Sequence, residues 1–138
     1  MNTYLTGRIL LGRLPKGGDL LKEITRVVTE NGIETGTLMV IGAVSKARFG
    51  FYDQEGREYH YKEVDRHLEI VSCSGNISLL DNQPMVHAHI VLADEDGNTV
   101  GGHLAEGTVI FAGEAYIREL KGEKLVRSYD KPTGLSLW

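Results

Sequence analysis

Cysteine is nearly absent from this chain: Cys73 stands alone among 138 residues. A single thiol excludes an internal disulfide framework and suits a reducing compartment, so a packed core must hold the fold. Proline is scarce at 3 and tryptophan occurs once. No apolar run approaches the roughly 20 residues that a membrane-crossing helix needs. The opening Met1-Asn2-Thr3-Tyr4 lacks a basic segment followed by an apolar one, so no secretory leader is expected and the expected location is the cytoplasm. Basic excess is missing too: 15 Lys and Arg face 19 Asp and Glu, a formal charge of −4. Nucleic-acid affinity draws largely on neutralised phosphates, so this balance disfavours a DNA-binding domain of the usual basic kind.

What is present describes a globular chain. Hydrophobic residues make up 41 %, charged residues 25 %, and glycine is frequent at 17. The length suits one domain, which at this size buries roughly two thirds of its unfolded surface. Tyr4 to Leu14 reads as a strand, ended by Pro15-Lys16-Gly17-Gly18. Asp19 is placed to cap a helix whose Leu20, Ile24, Val27 and Val28 recur at helical spacing, and Asn31-Gly32 stops it. Extended segments follow over Gly36–Asp53, Glu58–Lys62, His67–Leu80, Met85–Asp94, Thr99–Leu104 and Thr108–Leu120, separated by short turns. Gly75 interrupts one of them, where a bulge or a close backbone approach is expected. One helix against six to eight strands predicts an α+β fold with a mainly antiparallel sheet.

His87 and His89 lie two apart in PMVHAHIVLAD, so on a strand both imidazoles project from one face. Val86, Ala88, Ile90 and Leu92 take the opposite face and are the better match for the helix. His103 is placed by the turn between the two strands. If Glu95-Asp96-Gly97 is a three-residue loop with Gly97 left-handed, Asp94 opposes Asn98 and His103 falls directly across from His89. A two-residue loop of Asp96-Gly97 would instead pair His103 with Ile90 and send it to the other face. The three-residue register is the one expected, because it gathers all three imidazoles. Gathered on one face, His87, His89 and His103 are expected to serve as ligands of a divalent ion such as zinc, with a fourth position open. The competing reading is a set of hydrogen-bonded histidines on a half-buried or subunit-contacting face. Because protons compete with metal for imidazole, affinity is expected to fall below a pH of about 6.5.

The segments HLEIVSCSGNI (67–77) and HAHIVLADEDGNTVGGHLAEGTVIFAGEAYI (87–117), with Leu14-Pro15-Lys16-Gly17-Gly18-Asp19-Leu20 before the helix, resemble the plants-and-prokaryotes conserved (PPC) domain family. The resemblance covers about residues 5–120 and is to the stand-alone prokaryotic type. It implies an α+β fold around a central antiparallel sheet, a single domain over 1–138 and a homotrimer. Residues 121–138 are then a tail, docking on the body or on a neighbouring subunit, with Leu135, Leu137 and Trp138 as its apolar end. The plant members are similar around Gly101-Gly102 but generally lack histidines there, which favours a functional trio. Family names often say DNA-binding, a label that leans on an AT-hook. The nearest match here, Arg13-Leu14-Pro15-Lys16, lacks the glycine and the second arginine of that motif.

Other signals are weaker. Cys73 has no histidine nearby in sequence to activate it and reads as a buried structural thiol. Lys16-Gly17-Gly18-Asp19 is neither a P-loop nor a dinucleotide fingerprint, and reads as a strand-to-helix turn. Glu106 and Glu114 read as surface carboxylates, His60 and His67 as ordinary surface or sheet histidines, and Tyr52, Tyr59 and Tyr61 as a half-exposed sheet edge. No specific reaction and no catalytic residue is assigned. Three expectations follow: a trimeric divalent-metal protein with a small-ligand or hydrolytic role, a DNA-binding or regulatory protein, and an oligomeric interaction scaffold.

Overall fold

The structure, a computed structural model, describes residues 1–138. Ten elements follow in order: β1 (Leu5–Leu14), α1 (Leu20–Glu30), β2 (Gly36–Asp53), β3 (Glu58–Val64), β4 (Leu68–Leu80), β5 (Gln83–Ala93), β6 (Thr99–Leu104), β7 (Val109–Lys121), β8 (Ser128–Asp130) and β9 (Leu135–Leu137). Seven strands form one antiparallel sheet in the order β1-β7-β2-β4-β5-β6, with β3 on the outer part of β2. The α+β class is thus the observed one. No helix is long and apolar enough to cross a membrane.

The helix forms where its signals stand. Asp19 caps it, its carboxylate accepting from the Lys22 backbone N–H at 3.0 Å. At the other end the Asn31 side chain donates to the Val27 carbonyl at 2.8 Å, and Gly32 turns the chain at φ 62°. Leu20, Ile24 and Val28 are fully buried and carry the apolar stripe onto the sheet. Each such side chain contributes about 1.5–3 kcal/mol of burial free energy.

Two features of β2 shape the site. First, alternation splits its faces: Leu38 and Val40 are each 1 % exposed, whereas Met39 and Ile41 are 57 % and 55 % exposed. Second, its 18 residues serve two sets of neighbours. The first half pairs with β4 and β7, and the second half with β3 and, through Phe49–Leu104 and Gly50–His103, with β6. Irregularities between Val40 and Lys46 bend the strand between those halves, as bulges do. The sheet therefore curls until β2, β4, β5 and β6 close on one another.

The segment after β7 lies against this curled end. The Leu79 N–H donates to the Leu125 carbonyl and the Arg127 N–H to the Leu79 carbonyl, both at 2.8 Å, and β8 and β9 pair as a small hairpin. The Tyr52 hydroxyl donates to the Thr133 carbonyl at 2.8 Å.

Candidate metal centre

Strand β5 holds two of the three histidines and β6 the third. His87 faces Asn76 and His89 faces Ser74 across β4, while His103 faces His89 across β6. The turn between β5 and β6 sets that register. The Gly97 N–H donates to the Asp94 carbonyl and the Asp94 N–H to the Asn98 carbonyl, each at 3.0 Å, with Gly97 left-handed at φ 81°. The Asp94 carboxylate accepts from the backbone of Asp96 and Asn98 and pairs with Arg66 at 3.1 Å. This is the three-residue loop, with Asp94 opposite Asn98, and it puts His103 on the face of His87 and His89. At Gly75 there is no bulge; the register shift on that strand lies between Ile70 and Ser72. Gly75 marks a close approach instead, since a Cβ there would overlap the carbonyl oxygen of His87.

The imidazole rings lie 4.9 Å (His87–His103), 5.3 Å (His87–His89) and 5.7 Å (His89–His103) apart, centre to centre. One ring nitrogen from each falls within 4.8 Å of the others. Nitrogens sharing one tetrahedral zinc at about 2.0–2.1 Å stand roughly 3.3 Å apart, so modest ring rotations close the set. His87 and His103 are half-buried and His89 is exposed, which leaves one side of the cluster open. The Nδ1 atom of His103 is buried and has no hydrogen-bond partner. Buried nitrogens are almost always satisfied, so an orphan beside two more imidazoles calls for a ligand. Burial, then the charges of Arg127 and His89, hold His87 below the ordinary imidazole range. Burial first, then His87, His89 and Arg127, push His103 down to about 4. Neutral imidazole is the form that offers a lone pair, so the donor set fits a divalent ion.

Two residues with no site role expected from the sequence adjoin the trio, Tyr59 and Arg127. The ring of Tyr59 packs 4.8 Å from that of His103. Arg127 lines the same cavity as Tyr59, His87 and His103. Tyr59 was legible only as one tyrosine of an alternating edge, because its meeting with His103 depends on the curl that brings β3 and β6 to the same end of β2. For Arg127 no local pattern exists.

The remaining candidates lie elsewhere. Cys73 is 1 % exposed and burial pushes its thiol up to about 12, far from a nucleophile. Glu106 pairs with Lys22 at 3.0 Å, and Glu114 faces Arg13 and Ile41 across the sheet. His60 stands 3.8 Å from both Asp53 and Glu58, and His67 packs 6.2 Å from Phe111.

A curled antiparallel sheet with one covering helix, and a histidine trio at its closed end, defines a class of small α+β domain. The chain belongs to the Plants and Prokaryotes Conserved (PCC) domain family, whose profile matches residues 1–121. Among solved structures it is similar to a metal-containing protein from Archaeoglobus fulgidus, at 41 % identity and a TM-score of 0.94, covering 99 % of this chain and 96 % of that one. It is similar also to a plant- and prokaryote-conserved (PPC) protein of Pyrococcus horikoshii, at 38 % identity and a TM-score of 0.95, covering 100 % and 95 %. A Ralstonia eutropha protein provisionally named as DNA-binding matches at 26 % identity and a TM-score of 0.81, covering 92 % and 88 %. Curated relatives are bifunctional GlmU proteins from two Synechococcus strains, 31 % and 32 % identical over 124 residues. The chain spans 18 % and 19 % of their length.

Proposed function

We propose that this chain is a homotrimeric metalloprotein whose His87, His89 and His103 hold one divalent ion, zinc, and keep a position open for a small ligand or for water. Two observations carry the reading: one ring nitrogen from each of the three histidines lies within 4.8 Å of the others, and the Nδ1 of His103 is buried without a partner. The metal-containing relative from Archaeoglobus fulgidus supports it. A bound divalent ion supplies Lewis acidity at the open position. The chain's own residues do the rest: burial disfavours the protonated form of His87 and His103, and the Tyr59 ring packs against that of His103. The exposed apolar residues Leu11, Met39, Ile41 and Val91 on the sheet face away from α1 support subunit contact.

The name of the Ralstonia eutropha relative favours a second reading, nucleic-acid binding. Against it stand the net charge and the pairing of Arg8, Lys22, Arg26, Lys46, Arg48, Arg66, Lys121 and Lys124 with carboxylates of the chain itself. Elemental analysis of untagged protein tests the first reading. About one zinc per chain is expected in the native protein, and none in a folded His87→Ala/His89→Ala/His103→Ala variant. Native protein that holds no metal and takes up none from added zinc would return the weight to an interaction role.

A further inference from the structure

Arg127 is 6 % exposed, yet it makes no ion pair with any acid of the chain. Its Nε donates to the Ser78 hydroxyl at 2.7 Å, Nη1 to the Ser136 carbonyl at 2.8 Å and Nη2 to the Asn76 side-chain oxygen at 3.0 Å. All three acceptors are neutral, and two of the five guanidinium N–H donors remain unspent. The guanidinium also lies over the ring of Trp138, 4.2 Å from its centre. A buried cation without a counter-charge is costly, and arginine is the side chain whose planar fork matches a carboxylate.

The cavity that Arg127 lines measures about 200 Å³. His87 and His103 form one wall, Leu80, Met85, Leu135 and Leu137 supply an aliphatic surround, and no acidic residue lines it. That volume lies below the roughly 300–1,000 Å³ of sites for drug-sized molecules. The geometry points to a site for a small carboxylate with a short aliphatic body, its anionic end paired with Arg127 and its other end toward the histidines. The inference rests on the proposed three-histidine centre, two of whose members, His87 and His103, line the cavity.

Trp138 is the sole tryptophan and touches Arg127, so its fluorescence reports on the site. The whole 138-residue chain, with zinc content measured on every sample, is titrated with butyrate, with its neutral isostere butyramide and with inorganic phosphate. Butyrate is expected to bind saturably, butyramide and phosphate at least tenfold more weakly. Arg127→Gln is expected to weaken butyrate at least tenfold and Arg127→Lys by less. Because Arg127 also fastens the tail, Leu137→Phe serves as a second variant that fills the cavity rim and leaves Trp138 the sole tryptophan: it should lose butyrate while keeping its zinc. Zinc-loaded protein that ignores butyrate, or binds butyrate and butyramide alike, overturns the inference and leaves the metal centre standing. A chain that holds no zinc sinks the metal centre. The same titration then decides the anion site alone, kept by Arg127-dependent binding and overturned by none.

Discussion

The two faces of β5 are eleven residues put to opposite uses. On one face Val86, Ala88, Ile90 and Leu92 are 8 %, 2 %, 1 % and 0 % exposed and belong to the core that α1 covers. On the other, His87 and His89 meet His103 in a half-open cluster whose buried nitrogen has no partner within the fold. The first face is satisfied by what it touches and needs nothing further. The second is left incomplete by the same pleat, and incompleteness of that kind is where a ligand adds free energy.

Ile90→Ala breaks the packed face and carries the largest expected effect. Such a truncation costs about 2–5 kcal/mol of stability, read from urea or guanidinium unfolding. On the open face, His87→Ala/His103→Ala is expected to leave metal-free stability within about 1 kcal/mol of native. It should, however, abolish the zinc-induced rise in melting temperature, a stabilisation of about 2.7 kcal/mol at a hundredfold excess over Kd. Equal destabilisation by the two variants without metal would erase the distinction between the faces.

Asp94→Ala sharpens the comparison, because the turn sets which face His103 joins. Losing the acceptor for Asp96, Asn98 and Arg66 should cost about 1–2 kcal/mol and weaken zinc uptake as well. A zinc titration alongside the unfolding curve checks both. The smallest effect concerns neither face. Glu119 accepts from Arg8 and Lys121, and these bonds hold its carboxyl well below the usual carboxylate range. A glutamate with a depressed folded pKa adds stability above its unfolded value of about 4.3 and loses it as pH falls toward the folded one. Native protein should therefore lose stability on acidification through that window more steeply than Glu119→Gln, measured by unfolding at stepwise lower pH.

Much of this was legible in the sequence, for local reasons. Asp19, the helical spacing of Leu20, Ile24 and Val28, and Asn31-Gly32 mark α1 to the residue at both ends. The pair His87 and His89 needs only the two-residue period of a strand, and the joining of His103 needs only a hairpin loop of the right length. What stayed hidden depends on contacts far apart in sequence. The bend in β2 is set by pairings with β4 and β7, so the closure onto β6 leaves no local trace, and with it went the contact of Tyr59 with His103. Arg127 sits in a segment with no periodicity, and its burial follows from backbone bonds to Leu79 on β4. Likewise Gly75 announced a special backbone position without saying which; packing against Ala88 and the His87 carbonyl made it a close approach.

The central claim is that the open face of β5 and β6 completes itself with a metal held by imidazole alone. Zinc K-edge X-ray absorption of the stoichiometrically loaded protein measures that directly. The account predicts three imidazole nitrogens at about 2.0–2.1 Å and one further light atom, with no sulfur at about 2.3 Å. A sulfur shell, or a shell of oxygens with fewer than three imidazoles, would contradict it.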